Sequence, residues 1–153
     1  MAEKGRFQTV ISNRKARHEY HIMEVFEAGI VLTGTEVKSL RGGKASLQEA
    51  YCIIEKNEAY IKGMTISEYT DGSYNNHDPK RLRKLLLKKR EIRKLRKALE
   101  EKGLTIVPLK IFFNSRNLAK INIGLAKGKK LHDKRHDIKE KDIKREMDRQ
   151  MKY

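Results

Sequence analysis

The chain has 153 residues, and its 36 lysines and arginines outnumber 20 aspartates and glutamates to give a formal net charge of +16. This length suits one domain with an appended arm, and the longest stretch without a charged residue, at 28–35, is far shorter than the roughly 18 apolar residues of a membrane span. The first six residues lack the apolar segment of a signal peptide, and the single cysteine, Cys52, cannot form an internal disulfide, so we expect a cytoplasmic protein. The positive field favours a polyanion as partner, either nucleic acid or an anionic membrane.

The first half of the chain predicts three strands and one short helix. Segments rich in β-branched and aromatic residues predict strands at 18–32, 50–54 and 59–64. The first of them is expected to turn or bulge at Ala28-Gly29. Thr35 is a suitable N-cap and Gly42-Gly43 a suitable C-terminal stop, so a helix is expected over about 35–42. A loop rich in asparagine, aspartate and glycine follows at 68–79.

The second half predicts a long helix and a β-hairpin. Apolar residues at helical spacing form one stripe over 80–102, and they are Leu82, Leu85, Leu86, Ile92, Leu95 and Leu99. Gly103 is positioned as the C-cap of this helix. Segments 104–113 and 118–126 are rich in Ile, Val and Phe, and the turn-like residues 114–117 between them predict a hairpin.

Short strands with helices set between them, in a small basic protein, predict a mainly β fold. The expected architecture is an OB-type closed barrel flanked by helices at about 35–42 and 80–102. The barrel and its helices are expected to occupy residues 13–126. Residues 1–12 are left without a role, and residues 127–153 form a basic C-terminal tail.

The tail has too few apolar residues to form a core of its own. Ile143, Met147 and Met151 align at i, i+4 and i+8, which makes only a narrow stripe on a helix. A lone helix of this length is marginal in water. We therefore predict that residues 127–153 are disordered when free and helical when a partner supplies a surface.

The positive charge is concentrated in the second half of the chain. Residues 1–79 carry a net charge of −1, 80–102 carry +9, 103–126 carry +3 and 127–153 carry +5. The basic residues of the predicted helix either form a solvated face or contact RNA. The second interpretation is favoured, because like charges at i and i+4 repel one another and phosphates would relieve that repulsion. Candidate RNA-binding residues in this segment are Arg83, Lys84, Lys88 and Lys89.

Enzymatic signatures are missing from the sequence. No P-loop, GxSxG, HExxH or paired CxxC motif occurs. His132 and His136, interleaved with Asp133 and Asp137, have metal-like spacing, but a charged RNA-facing segment explains them as well, and no further ligand is in reach. Cys52 lies in an apolar strand, where a thiol is usually inert. We predict no catalytic residue, no metal and no cofactor.

Five longer motifs stand out along the chain, and they are NRKARHEY at 13–20, FEAG at 26–29, GTEVKSLR at 34–41, RKLLL at 83–87 and AKGKKLHDKR at 126–135. In this order they resemble the motifs of the small protein B family, the SsrA-binding proteins of bacterial trans-translation. The resemblance extends from about Asn13 to the C-terminus. Several long motifs in the same order are far more specific than any one of them alone.

The resemblance implies a non-catalytic RNA-binding adaptor in the bacterial cytoplasm. Such a protein binds the tRNA-like domain of transfer-messenger RNA and supports its charging by alanyl-tRNA synthetase. With elongation factor Tu and GTP, it delivers that RNA to the A site of stalled ribosomes. The tail then enters the empty mRNA channel and meets small-subunit ribosomal RNA at the decoding centre. No membrane partner is implied.

The resemblance also carries over individual positions. The RNA-contact positions of the family fall on Asn13, Glu27, Leu86 and Lys120. Glu27 could accept hydrogen bonds from nucleobases or orient Lys120, and one of three consecutive leucines around Leu86 is expected to face outward. The tail positions that match the ribosome-binding segment are Lys127, Lys129, Lys130, His132, Asp133, Lys134 and Arg135. His132 is expected to stack on a ribosomal RNA base.

Three alternatives remain open at the level of the sequence. The chain could be an OB-type ribosomal or ribosome-assembly protein that binds structured ribosomal RNA. It could also be a metal-dependent nuclease that uses the His132 to Asp137 segment. A role at a membrane surface is weakest, because the tail lacks tryptophan, phenylalanine and a broad apolar face.

Overall fold

The computed structural model describes residues 8–69, 76–101 and 103–129. The helices in these ranges are α1 (Arg14–Glu19), α2 (Gly34–Arg41) and α3 (Lys89–Ala98). The strands are β1 (Gln8–Ser12), β2 (Tyr20–Ile30), β3 (Ala45–Ser46), β4 (Tyr51–Glu55), β5 (Glu58–Lys62), β6 (Thr65–Ile66), β7 (Arg83–Leu86), β8 (Leu104–Phe113) and β9 (Ala119–Gly128). In this described part, every helix is too short or too polar to cross a membrane.

Six strands close into an antiparallel barrel. They pair in the order β8, β4, β5, β7, β2 and β9, and β9 pairs back with β8 to complete the ring. Strand β1 adds to β8, whereas β3 and β6 form a separate two-stranded sheet. Closure satisfies the backbone groups that an open sheet would leave unpaired at its edges. The mainly β, closed-barrel fold predicted from the sequence is confirmed.

The barrel interior is filled by alternate residues of its strands. Phe26, Ala28 and Ile30 of β2 belong to the main core, and Ile121 and Ile123 of β9 join them there with no exposed area. Burying an apolar side chain of this size contributes about 1.5–3 kcal/mol to folding. Because successive side chains of a strand point to opposite faces, the residues between these positions face outward.

The hairpin predicted over 104–126 is confirmed, and the strands predicted at 50–54 and 59–64 pair with each other as a second hairpin. The ends of these strands differ from the predicted ones by at most two residues. The β4–β5 turn contains Lys56 at φ 51° and Asn57 at φ 61°, which is the paired positive-φ geometry of a type I′ turn. The bulge expected at Ala28-Gly29 lies instead between Ile22 and Glu24, where the register of β2 against β9 shifts.

The predicted helix over 80–102 is wrong in its first half. Arg83–Leu86 form β7, which pairs with β2 on one side and β5 on the other, and α3 covers only Lys89–Ala98. Leucines at 82, 85 and 86 fit a helical stripe, but two neighbouring strand edges offer hydrogen bonds that local sequence cannot reveal. Gly103 has a positive φ of 87°, although α3 already ends at Ala98.

Two N-terminal elements were not predicted. Residues 8–12, which the sequence left without a role, form β1 and extend the sheet. Helix α1 then packs on the outside of the barrel, where Ala16 joins a small apolar cluster with Val107, Leu109 and Ala126. Ala16 is the one buried residue of this six-residue helix, so its apolar periodicity is too weak to read from the sequence.

The helix predicted at 35–42 is confirmed with a different N-cap. The helix starts at Gly34, and Thr33 rather than Thr35 caps it. The Thr33 side chain accepts from the Glu36 N–H at 3.4 Å, and the Thr33 N–H donates to Glu36 Oε1 at 2.9 Å. This reciprocal pair is a capping box, and it fixes the position of the Glu36 carboxylate.

Glu36 and Arg83 form a buried ion pair that joins α2 to β7. Neither residue has exposed area, and Arg83 Nε donates to Glu36 Oε2 at 2.5 Å. Arg81 donates to the other carboxylate oxygen at 2.6 Å. Desolvation by burial raises the pKa of Glu36, but the hydrogen bonds from Arg81, Thr33 and Arg83 outweigh it and hold the pKa below its usual value.

The remaining N–H groups of Arg83 fasten the chain between Met64 and Pro79. One terminal nitrogen donates to the carbonyls of Met64 at 3.0 Å and Arg81 at 2.9 Å, and the other donates to those of Pro79 at 3.1 Å and Asp78 at 3.5 Å. With the bond to Glu36, every donor of the guanidinium has an acceptor. A cation satisfied in this way tolerates an apolar interior.

Replacing Glu36 with alanine is expected to lower the free energy of unfolding by about 3–5 kcal/mol, because Arg83 would remain charged and without its counterion in the interior. Urea denaturation measures the loss. Glu58→Ala is the control, because it removes the carboxylate of the exposed pair with Lys84, and a much smaller loss is expected there. Equal losses in the two variants would contradict a dominant role for the buried pair.

Candidate nucleic-acid interface

The outer side of β7, β2 and β9 brings together three of the predicted RNA-contact residues. Leu86 of β7 lies opposite Gly29 of β2, and Gly29 lies opposite Lys120 of β9. Two residues further along β2 and β9, on the same side of the sheet, Glu27 lies opposite Asn122. We call the outward surface formed by these five residues the β7–β2–β9 face.

Leu86 is the leucine that points outward. It is 55% exposed, whereas Leu85 is 1% exposed and Leu87 packs partly against the core. The sequence argument expected one outward leucine on a helix, but the cause is the alternation of a strand. Gly29 lets Leu86 lie flat on the face, since a Cβ at position 29 would stand 3.2 Å from the Leu86 Cβ.

Glu27 and Lys120 are not paired with each other. Glu27 is exposed and Lys120 is half-buried, and their register partners are Asn122 and Gly29. Within the described residues no ion pair joins the two side chains, so the expectation that Glu27 orients Lys120 has no contact to support it. The carboxylate and the ammonium are each left facing outward as separate hydrogen-bonding groups.

Asn122 is a member of this face that sequence reasoning missed. Its position between the inward Ile121 and Ile123 places its amide outward, beside Glu27. An amide both donates and accepts hydrogen bonds, as nucleobase edges require. The alternation of β9 was a signal that could have identified it, once Lys120 was taken to point outward.

Asn13 lies in the interior rather than on the surface. Its side chain is 8% exposed, and its amide nitrogen donates to the carbonyls of Pro108 at 2.9 Å and Leu47 at 3.4 Å. Its main-chain N–H also donates to the carbonyl of Leu109 at 2.8 Å. These bonds hold the start of α1 against β8, and a direct contact of Asn13 with RNA stays a prediction.

The four basic candidates from the 80–102 segment have different environments. Arg83 is buried against Glu36, so the prediction that it binds RNA directly is corrected. Lys84 lies on the outer side of β7, where its ammonium meets Glu58 at 3.0 Å. Lys88 and Lys89 are exposed at the start of α3, and in the described part of the chain neither makes an ion pair.

The first two residues of the predicted tail belong to strand β9 of the barrel. Lys127 is exposed near the end of β9, and the Lys129 N–H donates to the carbonyl of Glu19 at 2.9 Å. The strand therefore continues two residues past the boundary expected at 126. The other predicted tail residues lie outside the described residues, and they are Lys130, His132, Asp133, Lys134 and Arg135.

Groups suited to catalysis are not assembled in the described ranges. These ranges contain no cluster of three or more His, Cys, Asp or Glu residues that could hold a metal ion. His132 and His136, with their metal-like spacing, lie outside them. Cys52 is buried in β4, and this burial raises the pKa of its thiol, which keeps it protonated.

The fold and the face together define an OB-type barrel whose cations, polar groups and exposed leucine suit nucleic acid. The family model described as SmpB protein matches residues 10–153. The chain belongs to the SmpB protein family.

Individual relatives agree with this membership. An SsrA-binding protein of Desulforamulus reducens is 53% identical over 151 residues, which are 99% of this chain and 93% of the relative. One of Cytophaga hutchinsonii is 57% identical over 139 residues, 91% of each chain. A solved structure described as "tmRNA-SmpB: a journey to the center of the bacterial ribosome" is similar with a TM-score of 0.67 and 54% identity, covering 79% of this chain and 85% of the other.

The alternation of β7 predicts opposite results for two adjacent leucines. Leu85→Ala is expected to lower the free energy of unfolding by about 2–5 kcal/mol, because it opens a cavity in the barrel. Leu86→Ala is expected to change it by no more than about 0.5 kcal/mol, since Leu86 is exposed. Urea denaturation of both variants decides the matter, and a larger loss at Leu86 would contradict the outward orientation.

Proposed function

We propose that this protein is a non-catalytic RNA-binding adaptor of trans-translation in the bacterial cytoplasm, and that it binds the tRNA-like domain of transfer-messenger RNA. The observation that carries the proposal is the β7–β2–β9 face, where Glu27, Leu86 and Lys120 stand together on one side of the barrel. The names of the relatives and the ribosome complex of the solved structure support the same function.

The chemistry of the face suits an irregular RNA surface rather than a uniform duplex. Lys120 can meet a phosphate, whereas Glu27 and Asn122 can hydrogen-bond to base or ribose groups. Leu86 offers an apolar surface against which an unstacked base or a sugar can pack. The loops of a folded RNA present unstacked bases beside the backbone, which is the kind of surface that this mixture of groups can bind.

In this proposal the bound RNA is charged with alanine by alanyl-tRNA synthetase and delivered with elongation factor Tu to the A site of a stalled ribosome. The barrel stands where an anticodon arm would be. The basic tail, beyond the end of β9 at Gly128, then enters the mRNA channel when no mRNA occupies it. Its positive charge favours the ribosomal RNA that lines the channel and the decoding centre. The ribosome would thus sense missing mRNA as free space.

Lys120→Ala is expected to weaken binding to a transcript of the tRNA-like domain about tenfold and to lower the slope of log K against log salt by about 1, because one phosphate contact is lost. Titrations at several salt concentrations measure both quantities. Lys62→Ala is the matched control, because Lys62 is an exposed barrel lysine on β5, outside the face.

An unchanged salt slope in the Lys120 variant would argue against a phosphate contact at that residue. Equal affinity of the wild type for the tRNA-like domain and for a ribosomal RNA fragment of the same length would favour the alternative of a ribosomal or ribosome-assembly protein. Cleavage of either RNA in the presence of Mg²⁺ or Zn²⁺ would favour the nuclease.

Removing residues 130–153 is expected to leave binding to the tRNA-like domain largely intact while abolishing rescue of stalled ribosomes. The reason is that the described barrel, with its RNA-binding face, ends at Lys129. Peptide tagging on an mRNA without a stop codon measures rescue in a reconstituted system. Full tagging by the truncated protein would refute the role of the tail in the channel.

A further inference from the structure

Helix α3 and the β4–β5 turn form a basic groove next to the β7–β2–β9 face. Lys89, Ile92, Arg93 and Arg96 follow one another at i, i+3, i+4 and i+7, so they share one side of the helix. Together with Asn57 of the turn they line a groove of about 370 Å³, which we call the α3 groove. Leu95, which does not line the groove, has no exposed area and anchors α3 to the barrel core.

Among the described residues, the cations of the α3 groove are not neutralised by carboxylates, and one of them is also held in place. Arg96 donates to the Asn57 side-chain oxygen, a neutral group, so its position is fixed while its charge is kept. Lys89 and Arg93 are exposed, and within the described ranges neither forms an ion pair. Of the residues that the structure describes, no carboxylate lines the groove. Three positive charges beside one another without a counterion create a local site for an anion.

Other charged groups of the same helix have partners outside the groove. Lys94 is 2.8 Å from Glu24 of β2. Glu91 accepts the Lys88 N–H at 2.9 Å and so caps the start of the helix. These contacts show that carboxylates are available near α3 but are used away from the α3 groove.

The α3 groove begins where the β7–β2–β9 face ends. Leu86 is the last residue of β7, and Lys89, the first residue of α3, follows three positions later. Three residues of extended chain span at most about 11 Å. An RNA backbone that lies across Leu86 therefore needs only a short continuation to reach Lys89 and then Arg93.

We propose that the α3 groove binds the phosphodiester backbone of the same tRNA-like RNA that the β7–β2–β9 face binds. One RNA molecule would then contact both the side of the barrel and the end of the barrel where α3 lies. This inference rests on the proposed function and extends its binding surface. An acidic protein is a poorer fit, because protein interfaces depend on buried aromatic or aliphatic anchors. Among the described residues that line the α3 groove, Ile92 is the one apolar side chain.

Two double variants of equal charge test the proposal. Lys89→Gln/Arg93→Gln removes two cations from the α3 groove. Arg90→Gln/Lys97→Gln removes two cations from the same helix outside it, and all four side chains are exposed. Both proteins should therefore unfold at the wild-type temperature, and any difference in RNA affinity reflects the place of the charges rather than their number.

The groove variant is expected to bind the tRNA-like transcript about tenfold more weakly than the control variant. It is expected to lower the salt slope by about 2, which is the loss of two phosphate contacts at about 1 each. Hydroxyl-radical footprinting should show a backbone segment that loses protection in the groove variant but keeps it in Lys120→Ala. These results would support the proposal.

Other outcomes overturn it. Equal weakening in the two double variants would mean that only the general field of α3 acts. Unchanged binding to the transcript together with weaker binding to purified ribosomes would assign the groove to a ribosomal partner instead. If Lys120→Ala weakens binding while the groove variant does not, this inference fails and the proposed function stands. If the wild type does not distinguish the tRNA-like transcript from a duplex of equal length, both fail.

Discussion

The buried ion pair between Glu36 and Arg83 is the constraint on which the arrangement of the barrel depends. It fastens α2 to β7, and the same guanidinium holds the carbonyls of Met64 and Pro79 at the two ends of the connecting chain. Strand β7 is short, with register pairs to β2 only at Leu85 and Leu86. A short strand in the middle of a closed ring needs such an anchor, because its own ladder supplies few hydrogen bonds.

The β7–β2–β9 face follows from this anchor through strand alternation. With Arg83 and Leu85 fixed inside, Lys84 and Leu86 have to face outward. Leu86 then lies opposite Gly29, which has no side chain, and Gly29 lies opposite Lys120 on β9. The face is thus assembled from three strands that are remote in sequence, and the interior pair determines which side chains reach it.

The basic side chains of residues 80–102 lie in three different environments. The net charge of +9 over these residues looked like one RNA-binding helix in the sequence. In the structure Arg83 is an interior cation, Lys84 pairs on the barrel wall, and Lys89 and Arg93 stand free of ion pairs within the described residues at the barrel end. The charge density indicates a polyanionic partner. It cannot separate an interior cation from a surface one, because that depends on which residues the fold brings into contact.

The sequence by itself determined the mainly β class, both hairpins and the approximate limits of α2. These features depend on local turn and capping chemistry and on alternation within each strand. It also carried the family motifs that contain Glu27 and Leu86. Only the tertiary structure decided that residues 83–86 are a strand, that Arg83 and Asn13 are interior, and that α3 faces the β4–β5 turn. Each of these features depends on a partner that is distant in the chain. The leucine spacing at 82–86 is compatible with both a helix and a strand. The hydrogen-bond acceptors and counterions that closure of the barrel brings near decide in favour of the strand.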